Sequence, residues 1–254
     1  MKSEQDSRSV LEIYKPNHPL YETLLAASAV ITLLGALFSS CTTVSSVLLG
    51  IGSGGIASVV VAWLIDISTC KQNNKKAELT RKNVFSQICS AIESSIQLFA
   101  LQCFHLGVIK DFDDQKTWLD WVKETCTAAK NNPEELGLFC KQSCVFADNL
   151  MDQVSTIDAQ TVLLFDLGIV GADEKSSITT IMNTCDTFRS EYRINGVSQK
   201  LADDYLRNFN VLHAVFENIP VVREFNNSKL AATLFQRFDK DELKQILQPK
   251  EDEE

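Results

Sequence analysis

Apolar and polar positions divide the chain into two regions of different character. Between Glu22 and Asp66 lie 43 consecutive residues without a charged side chain. A single helix of that length would rise about 65 Å, twice the roughly 30 Å hydrocarbon core of a bilayer, so we expect one break. The Ser- and Thr-rich run at 39–46 is the natural place for a tight turn. The pattern therefore predicts a transmembrane helical hairpin with spans at about 23–40 and 45–66.

Basic residues flank the uncharged stretch on both sides and are missing from its predicted turn. Three precede the first span and five follow the second closely: Lys2, Arg8 and Lys15, then Lys71, Lys75, Lys76, Arg81 and Lys82. Because Lys and Arg collect in cytoplasmic segments, this distribution predicts a multi-pass protein of the cell (inner) membrane with both termini cytoplasmic. Tyr21 and Trp63 would then lie near the cytoplasmic interface, where amphipathic rings are favoured.

Three other interpretations of the uncharged stretch stay open. A cleaved signal peptide needs a basic leader, whereas residues 1–22 carry three positive and four negative side chains. The segment from Leu37 to Cys41 is faintly similar to a lipoprotein cleavage box, although the leader charge does not suit one. A buried hairpin of a soluble protein is the third interpretation, because Ser and Thr are frequent in both arms.

Beyond the second span the apolar positions recur every three or four residues, which is typical of amphipathic helices. One long stripe consists of Phe85, Ile88, Ile92, Ile96, Phe99, Cys103 and Leu106. We expect helices at 77–109, after a cap at Asp113 or Asp114, from Asn132-Pro133 to Leu150, and at 158–168, 174–194, 198–219, 228–238 and 241–247. The sequence thus predicts an all-α fold, with a short cytoplasmic leader at 1–22, the hairpin at 23–66, a cytoplasmic helical bundle domain at 67–250 and an acidic tail at 251–254.

Composition narrows the chemistry available to the predicted domain. The chain has 24 Lys and Arg against 33 Asp and Glu, a net charge of −9, so we expect no extended nucleic-acid-binding surface. Three histidines and the absence of phosphate-loop, dinucleotide-binding, GxSxG and HExxH motifs leave no basis for an enzyme assignment. Cys140 and Cys144 could form half of a metal site, but no second pair has matching spacing. We therefore expect no metal or cofactor. Seven of the eight cysteines fall in segments predicted to lie in the reducing cytoplasm or at its edge, where we expect packed thiols, and only Cys41 falls in the outer turn.

Small residues recur at every fourth position of the second span. The set is Ser46, Gly50, Gly54, Ser58 and Ala62, and Asp66 falls on the next step. The first span has a lesser version, made of Ser28, Thr32, Ala36 and Ser40. In lipid such residues let helix backbones approach closely, so we expect the hairpin to close on itself and also to self-associate. Several hairpins could enclose a path lined by these residues, with Glu22 and Asp66 as carboxylate rings at its cytoplasmic mouth. The alternative is a hairpin that only anchors a helical binding or scaffold domain.

Two resemblances bear on function. Arg207, the polar residues after it and His213 resemble the motif of HEPN ribonucleases, all-helical domains that pair two such motifs across a dimer to cleave RNA. That resemblance implies a membrane-tethered ribonuclease, with His213 as general acid or base and Arg207 holding the scissile phosphate. The layout of leader, two spans and helical domain resembles the small membrane effectors of bacterial anti-phage defence systems. This second resemblance implies a channel or permeabilising effector controlled through its cytoplasmic domain by a small-molecule or nucleic-acid signal.

Overall fold

The computed structural model describes residues 13–38, 40–105 and 116–229. Within these residues the regular structure is helical, which confirms the all-α prediction, and the only β-type pairing is an isolated bridge between Thr117 and Lys229. Seven helices follow one another in the order α1 (His18–Leu37), α2 (Thr42–His105), α3 (Trp118–Ala129), α4 (Pro133–Asp166), α5 (Ala172–Asn195), α6 (Gln199–Glu217) and α7 (Pro220–Asn226).

The chain divides into two compact units, Met1–Thr80 and Arg81–Glu254. We call the first the hairpin unit and the second the helical unit. Helix α2 contributes residues to both, because its sequence from Thr42 to His105 contains no proline and no glycine after Gly55 to interrupt it. The predicted domain boundary at 66/67 and the boundary between the units therefore both fall inside one helix.

In the hairpin unit, α1 begins where the side chain of Asn17 accepts a hydrogen bond from the Leu20 amide, and Pro19 occupies the first turn. It ends at Leu37, and α2 starts five residues later, so the chain breaks within the Ser/Thr-rich run as predicted. Both helices are long and apolar enough to cross a membrane, judged by length and composition alone. Many of their large apolar side chains are exposed within this chain, among them Leu33, Leu37, Ile51, Leu64 and Ile65.

In the helical unit, short polar residues begin the helices. Thr117, Asn132 and Ser198 each accept a backbone hydrogen bond at the start of α3, α4 and α6. The predicted cap of α3 at Asp113 or Asp114 is wrong, because Thr117 caps this helix; both aspartates lie outside the described residues. The prediction of a separate helix at 158–168 is also wrong: α4 continues from Pro133 to Asp166, because no glycine or proline interrupts it after Gly137. Ser228 and Lys229, the first residues of the predicted helix at 228–238, are not helical, and the rest of that helix, the predicted helix at 241–247 and the acidic tail lie outside the described residues.

The core of the helical unit is built from aromatic rings. Phe209 of α6 lies at its centre, with its ring centroid 5.0 Å from that of Phe188, 5.3 Å from Phe146, 5.5 Å from Phe99 and 6.4 Å from Trp118. These neighbours belong to α5, α4, α2 and α3, so rings from five helices meet at one point. The apolar stripe predicted on α2 is buried at six of its seven positions, and the seventh, Leu106, is outside the described residues.

Candidate functional site

Glycines let the two helices of the hairpin unit approach closely. An ideal Cβ placed at Gly52 would lie 2.7 Å from the amide nitrogen and 2.9 Å from the Cα of Thr32. One placed at Gly35 would lie 2.9 Å from the amide nitrogen of Leu49, and one at Gly55 would lie 2.7 Å from the Ser28 hydroxyl. Real Cβ atoms do not approach backbone so closely, because steric repulsion rises steeply below about 3.5 Å. Glycine is therefore required at Gly35 and Gly52 for this packing.

We call this contact the inner seam, and define it by Ser45, Gly52 and Gly55 of α2 and by Ser28, Thr32 and Gly35 of α1. At its turn end the buried Ser45 hydroxyl donates a 2.7 Å hydrogen bond to the Gly35 carbonyl oxygen. The Thr32 hydroxyl bonds to the Ser28 carbonyl within its own helix, so this polar group is also satisfied without water. Sequence reasoning identified Ser28 and Thr32 as contact residues but missed Gly35 and Ser45.

The five residues predicted to mediate self-association form a separate surface, which we call the outer strip: Ser46, Gly50, Gly54, Ser58 and Ala62. All five are exposed within this chain. An ideal Cβ at Gly50 or Gly54 would meet no atom within 4 Å. Two residues correspond to about 200° around an α-helix, so Gly52 lies on the opposite side from both of these glycines. The hairpin therefore uses one small-residue face of α2 for itself and leaves the other unoccupied.

The two predicted pore-mouth carboxylates have different surroundings. Glu22 is exposed. Asp66 is half-buried: its Oδ2 accepts a hydrogen bond from the Asn17 amide at 3.4 Å, and its Oδ1 accepts one from the Cys70 thiol at 3.8 Å. Asp66 thus contacts the beginning of α1, a role that its position one step beyond the small residues did not indicate.

Arg207 and His213 both lie on α6, but they belong to different local groups. Arg207 is exposed and pairs with Asp204, one turn earlier on the same helix. His213 is half-buried and its ring centroid lies 5.8 Å from that of Trp118. Burial lowers the pKa of His213; the Glu217 carboxylate opposes this shift, and the Lys123 ammonium adds to it. Six residues correspond to about 240° around a helix, so the two side chains project from different faces of α6.

The cysteines of the helical unit are reduced and mostly packed. All eight cysteines of the chain are free, and Cys103, Cys126, Cys140 and Cys185 are buried. Burial raises the pKa of the Cys140 and Cys185 thiols to about 12, which keeps both protonated and unreactive at neutral pH. Among the residues that the structure describes, no group of three or more His, Cys, Asp or Glu side chains is arranged to hold a metal ion.

Cys144 lies beside the hydroxyl group of a tyrosine. Its sulfur lies 2.9 Å from the hydroxyl oxygen of Tyr205, and that hydroxyl donates a 3.0 Å hydrogen bond to the Phe188 carbonyl oxygen. Burial raises the pKa of Tyr205 strongly, so the phenol stays neutral and joins α4, α5 and α6 through these contacts. The Tyr205 hydroxyl is therefore a polar group of the core whose hydrogen-bonding capacity is met by Cys144 and the Phe188 carbonyl.

Comparison of the chain with known protein families, with curated proteins and with solved structures finds no match in any of the three.

Proposed function

We propose that this protein is an integral membrane protein whose hairpins associate through the outer strip and enclose a conducting path, with the helical unit controlling the assembly from the cytoplasm. The observation that supports this proposal is the division of α2 into two small-residue faces. Gly52 and Gly55 pack against α1 in the inner seam, whereas no atom lies within 4 Å of a Cβ placed at Gly50 or Gly54. A hairpin that anchors only a single copy of the helical unit has no use for a second such face.

The exposed apolar surface of the hairpin unit supports the membrane part of the proposal. Side chains such as Leu33, Leu37 and Ile51 are more than half exposed within the chain. A soluble monomer rarely leaves so large an apolar surface in water, so lipid or further copies of the chain must cover it. No charged residue interrupts either helix between Glu22 and Asp66.

The chemistry of the outer strip suits close contact in lipid. Apolar burial does not drive helix association in a bilayer, so packing of small residues has to supply the contact energy. The Ser46 hydroxyl already bonds to the Thr42 carbonyl of its own helix at 2.8 Å, so it can face a neighbour or water without leaving an unmet polar group. A ring of such strips would present hydroxyl groups and glycine backbone to the enclosed path.

One observation favours the anchor as a second candidate function. Asp66, which would supply the charge at the pore mouth, has its carboxylate engaged with Asn17 and Cys70. A carboxylate held by its own chain contributes less to attracting ions than one facing an open mouth. In this candidate the outer strip mediates an assembly without a path.

Reconstitution in planar bilayers separates the two candidates. The proposal expects cation-selective current from wild-type protein, the same current from Gly54→Ala, and little or none from Gly54→Leu, whose side chain holds neighbouring helices apart. Asp66→Lys should move the reversal potential under a salt gradient toward anions, with Asp66→Asn in between. Absence of current from a verified oligomer, with and without cell extract as a source of signal, would leave the anchor as the better account.

A further inference from the structure

At the end of the uncharged stretch, one face of α2 carries an apolar side chain, a hydroxyl group and two ammonium groups in succession. Leu64, Ser68, Lys71 and Lys75 follow one another at intervals of four, three and four residues, so they lie within about 60° of one another around the helix. All four are exposed within the chain, and Leu64 is 61% exposed. We call these four residues the lysine face.

The lysine face is turned away from α1 and from the residues that precede it. The Trp63 ring stacks on that of Tyr21, with centroids 6.2 Å apart. Nδ2 of Asn74 donates a 3.0 Å hydrogen bond to the Tyr14 carbonyl oxygen. Trp63 and Asn74 are each followed directly by a residue of the lysine face, and one residue corresponds to about 100° around the helix. The lysine face is therefore open to lipid along its apolar end and to headgroups or water along its charged end.

The two ammonium groups repel each other and have no acidic partner in the described part of the chain. Neither Lys71 nor Lys75 forms an ion pair with another described residue, including the exposed Glu78 one turn beyond Lys75. Residues four apart on a helix have Cβ atoms about 5–6 Å apart, where like charges are unfavourable. An anion bound between the two lysines would remove this repulsion, and a phosphate group can accept hydrogen bonds from both.

The position of the lysines along α2 matches the depth of lipid headgroups. At 1.5 Å per residue, Lys71 lies about 7.5 Å and Lys75 about 13.5 Å along the helix beyond Asp66. The headgroup layer occupies about 5–8 Å on each side of the hydrocarbon core. Side chains of a helix tilt toward its N-terminus, which for α2 is the membrane side, and a lysine stem can lie along apolar surface with its ammonium group in the polar layer. Both ammonium groups can therefore reach one headgroup.

We propose that the lysine face binds an anionic phospholipid, with the phosphate between Lys71 and Lys75 and an acyl chain along Leu64. The Ser68 hydroxyl lies one turn nearer the hydrocarbon and can donate to an ester oxygen of the same lipid. A zwitterionic lipid carries the same phosphate, but its choline group is a cation that the two lysines repel. The inference rests on the membrane placement in the proposed function and does not require a conducting path.

The test measures the dissociation constant of the first lipid bound per subunit, by native mass spectrometry of the full chain in detergent. Phosphatidylglycerol should bind more tightly than phosphatidylcholine with the same acyl chains. Lys71→Gln and Lys75→Gln should each weaken phosphatidylglycerol binding about fivefold, the contribution of one basic residue near an anionic membrane surface, with little change for phosphatidylcholine. Glycerol 1-phosphate, which has a phosphate without acyl chains, should compete poorly. Competition at the concentration of the lipid would identify a free phosphate compound as the ligand and overturn the proposal.

Lys76→Gln is the matched control, because it removes the same charge one residue further along, about 100° around the helix from Lys75. Lys76 is also exposed, and its replacement should leave the affinity for phosphatidylglycerol unchanged. Equal losses in all three variants would indicate diffuse attraction to the membrane surface and overturn the site, as would equal affinities for the two lipids. These results differ from a failure of the membrane placement, which would show as a chain that stays soluble and monomeric without detergent and would overturn both proposals.

Discussion

Replacing Gly52 or Gly54 by leucine places the same side chain two residues apart on α2, and we expect opposite results for the hairpin. At Gly52 the first added carbon would already lie 2.7 Å from the Thr32 amide nitrogen, whereas at Gly54 it would meet nothing within 4 Å. Ordinary carbon contacts begin at about 3.5 Å, so the backbones must separate by about 0.8 Å for Cβ alone, before the rest of the leucine is fitted.

The size of the effect at Gly52 follows from overpacking. Forced insertion of carbon atoms into a packed contact costs about 1–3 kcal/mol, and α1 cannot yield locally because the opposing atoms at Thr32 include its backbone. A cost of this size corresponds to roughly a 5- to 150-fold shift of the closed hairpin toward open forms. Gly54→Leu should leave the closed hairpin unchanged and weaken only the contact between copies.

The assay is a disulfide across the inner seam. An ideal Cβ at Gly55 lies 3.3 Å from the Cβ of Ser28, close to the separation of about 3.5–4.5 Å that a disulfide needs. We would combine Ser28→Cys and Gly55→Cys with Cys41→Ser and measure the rate of intrachain disulfide formation in membranes by mass spectrometry of non-reduced digests. The rate should drop with Gly52→Leu and stay unchanged with Gly54→Leu. Equal rates in both variants would refute the packing described for the inner seam.

Four further outcomes are expected. In intact cells a membrane-impermeant thiol reagent should label Cys41 and should not label an exposed reporter cysteine introduced as Lys200→Cys. Labelling of that reporter would show that the orientation in the membrane is opposite to the predicted one. Burial raises the pKa of Cys140 to about 12, so this thiol should resist Ellman's reagent in the folded protein and react only on unfolding. Burial lowers the pKa of His213, so the unfolded chain takes up a proton before the folded chain does as the pH falls through the ordinary histidine range. The free energy of unfolding should therefore decrease as the pH is lowered from 7.5 to 5.5, and His213→Gln should reduce that decrease, as measured by urea denaturation at both pH values. If the HEPN resemblance reflects activity, purified protein should cleave RNA and lose cleavage with Arg207→Ala; RNA left intact by the wild type would remove that alternative.

Periodicity determines which small residues of the hairpin stand out in the sequence. The outer strip repeats every four residues, a regular signal that is easily seen. The inner seam of α2 follows steps of seven and three residues, from Ser45 to Gly52 to Gly55, which fits the 3.5-residue spacing of helices that pack nearly parallel for several turns. A strict four-residue stripe winds around the helix and drifts off such a partner. Ala36, assigned to the strict stripe of α1, is accordingly exposed, and its neighbour Gly35 is buried.

Local signals placed some helix ends of the helical unit correctly, whereas the start of α3 and the end of α4 were missed. Asn132 followed by Pro133 opens α4, and Gly196, with a φ of 57°, follows the last residue of α5. The contacts of Asp66 could not be read in the same way. They join residues 49 positions apart along the chain, and only the fold brings Asn17 to this carboxylate.

The position of Phe209 limits how the helical unit can respond to a signal. Its ring is fully buried among rings contributed by four other helices, so moving any one helix away would expose several aromatic surfaces at once. Exposing apolar area on that scale costs several kcal/mol, by the usual figure of about 25 cal/mol per Å². Displacement of a single helix is therefore an unfavourable way to transmit a signal through this unit. A stimulus acting on it should be passed on by motion of the bundle as one body or by contacts between whole bundles, and hydrogen exchange should report its core helices as one cooperative block.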